Sequence, residues 1–239
     1  MLSYQYTYLI GDFLIFFPVW LLLLVHRKDL WKIIFLAGLV FGLVSFLAEP
    51  LFLRDYWHPG YLKPLFVGGY QIGSLEDFLY GFLKGGIASV IYEEIFGKFL
   101  AKRKNRKHHW VWFLAPFYMG GVALFIVPIY LLNLNSLYAA LLASLFCFSF
   151  YVWLRKDLLF DSLMSGILVG ALSIVGLWIL TLIFPEMFHL YWKLHNLSGI
   201  FVAGVPVEEL LESFAVGMIG GPFYEFFMGR RFLKTQKNG

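Results

Sequence analysis

Apolar runs of about twenty residues, broken by short polar or basic connections, recur along almost the whole chain, and each is long enough to cross a bilayer core as a helix. The pattern predicts seven spans, Tyr6–Val25, Leu30–Glu49, Ser74–Phe96, Val111–Leu132, Ser136–Leu154, Leu158–Phe184 and Val205–Met228. Basic residues gather in alternate connections: His26-Arg27-Lys28, Lys98 to Lys107, Arg155-Lys156, and Arg230 to Lys237. The other connections carry Arg54, Lys63 and Lys193. The positive-inside rule then puts the N-terminus outside and the C-terminus in the cytoplasm.

Composition agrees with this pattern. The 239 residues are 60% hydrophobic and 14% charged, more apolar surface than a soluble domain of this size hides. The expected fold is an all-α polytopic membrane protein, and no cleavable signal peptide is expected, because the first apolar run has no basic segment before it. The net charge of +4 follows topology, and the run Lys98–His109 reads as an anchor at anionic lipid rather than a nucleic-acid site. Cys147 is the one cysteine, sits in an apolar run and excludes an intramolecular disulfide.

The chain repeats itself. Glu208-Glu209, Ser213, Phe214, Gly217, Gly221, Tyr224-Glu225 and Gly229 fall on Glu76-Asp77, Gly81, Phe82, Gly85, Ser89, Tyr92-Glu93 and Gly97 at one offset (208 − 76 = 132). Arg27-Lys28-Asp29-Leu30 returns as Arg155-Lys156-Asp157-Leu158, followed by Gly38, Gly42 and Ser45 on Gly166, Gly170 and Ser173 (155 − 27 = 128). Pro50 and Trp57 fall on Pro185 and Trp192 (185 − 50 = 135). Spans one to three are read as repeated in spans five to seven, with span four as connector, a 3+1+3 arrangement of two parallel repeats. The expected units are 1–100, a basic loop and connector helix over 101–135, and 136–239. The small-residue stripes through Gly81/Gly85/Ser89 and Ser213/Gly217/Gly221 are expected to pack span three against span seven.

Carboxylates at the mouth of an apolar helix are costly and mark function. Glu76, Asp77, Glu208 and Glu209 open the third and seventh spans, and Glu212 extends the acidic face where the first half has Tyr80. A buried acid held protonated beside an ionised one can donate and accept protons without a cofactor. The alternative is that these acids cap helices and are hydrated at the interface. The outer connections are rich in aromatic residues, Trp57 and Trp192 among them, and read as an interfacial belt or as lids over a lipid-soluble substrate. Tyr92-Glu93 and Tyr224-Glu225 are expected to pair with Lys98 and Arg230 at the inner surface. Asp12, Glu49 and Asp161 lie within or at the edge of apolar runs without an assignable partner. The histidines lack metal-site spacing, and dinucleotide, P-loop and serine-hydrolase motifs are missing, so no cofactor or metal is expected.

Pro206-Val207-Glu208-Glu209-Leu210 resembles the PxEE motif of the lycopene cyclase domain family, the small membrane-embedded type that works without flavin, and Ser74-Leu75-Glu76-Asp77-Phe78 resembles its first-half copy. The resemblance, to the fused two-repeat form, implies acid–base cyclisation of lycopene ends to β-rings in carotenoid biosynthesis, with no net redox change. It makes Glu76, Asp77, Glu208 and Glu209 the expected proton donors and acceptors. Glu212, Tyr80, Phe82, Phe214, Trp57 and Trp192 are expected to contact a lipid-soluble isoprenoid in a prokaryotic cytoplasmic membrane. Ser74 departs from the motif's proline. A small SWEET-like solute transporter and a non-catalytic membrane partner remain alternatives, and a homo-oligomer stays open.

Overall fold

The computed structural model describes residues 4–102, 111–228 and 230–234. The middle of the basic run, Gly229 and the end of the basic tail lie outside them. Ten helices are described: α1 (Tyr4–His26), α2 (Trp31–Asp55), α3 (Leu75–Ala88), α4 (Ile91–Phe96), α5 (Val111–Leu131), α6 (Ser136–Leu154), α7 (Leu159–Ile183), α8 (Met187–Tyr191), α9 (Val207–Gly220) and α10 (Phe223–Met228). Among the described residues α1, α2, α6 and the helix that runs on from Lys156 through α7 are long and apolar enough to cross a membrane. Large apolar side chains such as Leu47, Trp153 and Leu182 point outward, as they would toward lipid.

Three elements depart from the simple pattern. α2 continues through Pro50 to Asp55, past the expected end at Glu49. α1 widens by one residue per turn over Asp12–Phe16, where Pro18 lacks the amide that would close the regular ladder. The third and seventh expected spans each break in two: α3 ends before Ser89-Val90, and α9 ends at Gly220 before Gly221-Pro222.

The glycine stripes explain the packing. A Cβ built on Gly81 would sit 2.5 Å from the Phe41 carbonyl oxygen, and one on Gly217 2.5 Å from that of Ser165. In return, Gly38 lies under Phe82 and Gly166 under Phe214, each with a Cβ position 2.9 Å from the phenylalanine carbonyl oxygen. So α3 packs on α2, and α9 on α7, at backbone contact distance. This corrects the expected pairing of the third span with the seventh: the stripes are consumed by the preceding helix of their own half, and Gly220 against Ala88 is the close approach between α9 and α3.

Short strands tie the ends. β1 (Leu65–Val67) and β2 (Tyr70–Gly73) form a hairpin ahead of α3, and β4 (Phe201–Val202) and β5 (Val205–Pro206) one ahead of α9. β3 (Lys98–Lys102) and β6 (Arg230–Lys234) pair antiparallel, so the segments following α4 and α10 meet. At the opposite end Trp57 and Trp192 form an isolated antiparallel bridge.

Candidate functional site

A cavity of about 430 Å³ lies between the helices, walled largely by apolar side chains of α1, α2, α5, α6, α7 and α9. Its polar lining is sparse: Tyr8, Asp12, Glu49, Tyr56, Trp57, Tyr80, Lys84, Trp192, Glu209 and Glu212 account for most of it. A mostly apolar pocket with a few convergent polar groups is the form of a small-molecule site.

Local structure decides which acid faces it. Glu76 and Asp77 are the second and third residues of α3, as Glu208 and Glu209 are of α9. At α3 the cap is Ser74: its hydroxyl accepts from Glu76 N at 3.0 Å, and Asp77 Oδ2 accepts from Ser74 N at 2.6 Å, a capping box. At α9 the cap is Pro206, which has no N–H to offer. Glu209 is thus released from the duty that holds Asp77, and its longer side chain reaches the cavity. There Oε1 accepts from Trp192 Nε1 at 2.6 Å and from the Tyr56 hydroxyl.

In the first half two carboxylates line the cavity, Asp12 and Glu49, and it is Glu49, at 3% exposure, that a tryptophan and a tyrosine hold. Its Oε1 accepts from Trp57 Nε1 at 2.9 Å and from the Tyr61 hydroxyl at 2.6 Å. The same Tyr61 hydroxyl lies 3.0 Å from Asp77 Oδ1, which couples Asp77 to Glu49. Burial, and then the carboxylates of Glu49 and Asp77, push the Tyr61 phenol well above its ordinary range, so it remains a donor. Among the described residues Oε2 of Glu49 and Oε2 of Glu209 make no hydrogen bond. Glu49 and Glu209 therefore each have one oxygen fixed by a tryptophan and a tyrosine, and one left over. The two indoles stack obliquely with centroids 5.3 Å apart, and Tyr8 meets Trp57 edge-on at 4.9 Å.

Glu76 and Glu208 face elsewhere. Glu76 Oε1 accepts from Leu62 N at 3.2 Å and Glu208 Oε1 from Ser198 N at 2.7 Å and the Tyr138 hydroxyl at 3.0 Å. Each fastens an outer connection, and neither lines the cavity. Tyr80, Trp57, Trp192 and Glu212 do line it, whereas Phe82 and Phe214 serve helix packing over Gly38 and Gly166.

Lys84, in the middle of α3, is a cavity residue that the sequence reading passed over. It is 1% exposed, forms an ion pair with Glu212, and donates to the Tyr80 hydroxyl, which lies 3.0 Å from Glu212 Oε2. Its Nζ lies 4.6 Å from the centre of the Tyr80 ring. A charged residue in the middle of an apolar helix, one turn after Tyr80, the counterpart of Glu212, was the available signal. The inner acids also depart from expectation: Glu93 and Glu225 are not interfacial anchors but buried residues turned toward Asp161. Lys98 donates to the Tyr92 hydroxyl, the part of the expected Tyr92-Glu93 pairing that is met.

Residues 135–227 match the family model described as lycopene cyclase. No curated protein and no solved structure matches the chain at a comparable level.

Proposed function

We propose that this chain, which matches the lycopene cyclase family model over residues 135–227, belongs to that family and is a membrane isoprenoid cyclase that closes the ends of lycopene to β-rings. The observation that carries the reading is the matched pair of cavity acids, Glu49 and Glu209, each held at Oε1 by a tryptophan and a tyrosine and, among the described residues, unbonded at Oε2.

The chemistry needs one proton in and one proton out. A carboxylic acid protonates the terminal alkene, leaving a tertiary cation. The next trisubstituted alkene attacks that cation, closes the six-membered ring and moves the positive charge to a ring carbon. A carboxylate then removes a ring proton and restores a double bond. Bonds and electrons balance, and no oxidant or reductant enters. The faces of Trp57, Trp192, Tyr8 and Phe16 line the path and stabilise a passing cation. The scarcity of polar lining keeps water from quenching it.

In this reading Glu209 and Glu49 exchange protons with substrate, and Asp77 acts on Glu49 through Tyr61. Glu76 and Glu208 hold the outer connections in place. Lys84 balances the charge of Glu212 in the cavity wall. The cavity accommodates one isoprenoid end at a time.

The same reading includes seven crossings in a 3+1+3 arrangement, α1, α2 and α3–α4, then α5, then α6, α7 and α9–α10, with the N-terminus outside. It takes the two halves as repeats. Supporting it are the paired Gly38–Phe82 and Gly166–Phe214 contacts, the Trp57–Trp192 bridge, and the matching roles of Arg27 and Arg155. Arg27 donates to Asp29 Oδ2 at 3.1 Å and Arg155 to Asp157 Oδ2 at 2.7 Å.

The test is pigment chromatography of lycopene-accumulating bacterial cells expressing the chain, beside a Glu49→Gln/Glu209→Gln control. Monocyclic or bicyclic carotene from the wild type, lost in the control, is expected. Unchanged lycopene with folded protein in the membrane would refute the substrate assignment.

A further inference from the structure

Below the cavity, where α4, α7 and α10 converge, Glu93, Asp161 and Glu225 bring one carboxylate oxygen each within 4.8 Å of one another. They are 0%, 5% and 2% exposed, respectively. Two oxygens on one cation at about 2.3–2.6 Å stand at most about 5 Å apart, so the spacing suits a shared ion. Glu93 supplies the second observation. Both its carboxylate oxygens are buried without a hydrogen-bond partner among the described residues, and its ligand atom lies within 4.8 Å of those of Asp161 and Glu225. A fully buried carboxylate with neither oxygen satisfied is expensive unless something is bound to it.

Gly221 lies beside the group, where a Cβ would approach to 3.2 Å from Asp161 Oδ1. Ser165 Oγ also lies 3.2 Å from that oxygen and can serve as a fourth hard donor. The nearby cationic side chains have other partners on the page: Arg27 binds Asp29 and the Lys98 carbonyl, Arg155 binds Asp157 and the Glu225 carbonyl, and Lys98 binds the Tyr92 hydroxyl.

We propose that Glu93, Asp161 and Glu225 form a binding site for one hard divalent cation, of the class of calcium, manganese or magnesium, that clasps the inner ends of the two halves together. All-oxygen ligation by carboxylates selects this class over softer metals. The three ligands come from three separate helices, so no spacing in the sequence shows the site. It stands apart from the cavity acids and does not depend on the cyclase reading.

The test uses the whole chain in detergent. After treatment with a chelator and its removal, Mn²⁺ is titrated and free ion is followed by electron paramagnetic resonance, with folding checked by size-exclusion chromatography. One Mn²⁺ per chain is expected, displaced by Ca²⁺ or Mg²⁺. Glu93→Gln and Asp161→Asn should each weaken uptake at least tenfold. Glu94→Gln, whose carboxylate instead faces His26 and Arg27, should retain it. The proposal is overturned if folded wild-type protein takes up no Mn²⁺, since a cluster sharing protons needs no ion. It is equally overturned if either folded ligand variant binds Mn²⁺ as the wild type does, and the wild-type titration decides alone should the variants fail to fold.

Discussion

Glu209→Gln separates proton chemistry from architecture at a single atom. Glutamine keeps the length of glutamate and an Oε1 acceptor, so the donors Trp192 Nε1, at 2.6 Å, and Tyr56 retain their partner and the helix start at Pro206 is untouched. What is removed is proton exchange at the second oxygen, which becomes an amide. General acid–base catalysis is worth about 10²–10⁴ in rate, or about 2.7–5.5 kcal/mol of barrier. A loss of that size is expected with little change in thermal stability. Glu208→Gln is the paired measurement. Glu208 faces Ser198 N and the Tyr138 hydroxyl rather than the cavity, so less than about a tenfold loss is expected, the scale of one weakened hydrogen bond of about 1 kcal/mol. The assay is the initial rate of cyclic carotene formation in membranes supplied with lycopene, normalised to folded protein. Equal losses in the two variants would show that facing the cavity does not decide the role and would refute the assignment of Glu209 as the proton-exchanging acid of its half.

Other perturbations test the remaining parts. Lys84→Met leaves Glu212 uncompensated and should cost about 3 kcal/mol, the low end for a broken buried pair because the Glu212 side chain keeps 20% exposure, with most of it regained in Lys84→Met/Glu212→Leu; thermal unfolding of the four proteins measures the coupling. Gly217→Ala drives a methyl toward the Ser165 carbonyl at 2.5 Å and should cost about 1–3 kcal/mol by the same measurement, whereas Gly121→Ala, whose Cβ would meet Cys147 Sγ at 3.4 Å, should be nearly neutral. Tyr61→Phe removes one donor from both Glu49 and Asp77 and should lower the cyclisation rate at least tenfold while folded yield is kept, which a rate assay beside size-exclusion chromatography reads directly.

Much of the local structure follows from residue type alone. Length and apolarity fix the helices, and serine at position 74 fixes a capped start for α3, with Glu76 and Asp77 in its first turn. The recurrence of Gly38, Phe82, Gly166 and Phe214 marks faces at which backbones approach closely. The acidic motif and its family resemblance are also readable, because they are contiguous in the chain, and residues 135–227 carry the family match.

Tertiary structure decides the partners. Periodicity says which face of a helix is small or acidic but not what it meets, so the glycine stripes, expected between the third and seventh spans, are filled by α2 and α7. Glu49 has no partner until the chain folds back and brings Trp57 and Tyr61 over it. Within the acidic pairs, the difference between Asp77 and Glu209 rests on a backbone amide: Ser74 has one to be capped, Pro206 has none, and only the folded helix ends show the consequence. Lys84 with Glu212, and Glu93 with Asp161 and Glu225, join residues more than sixty positions apart. The low-dielectric interior, where a charge without a counterpart is costly, selects the Lys84–Glu212 pair, and no local pattern encodes that choice.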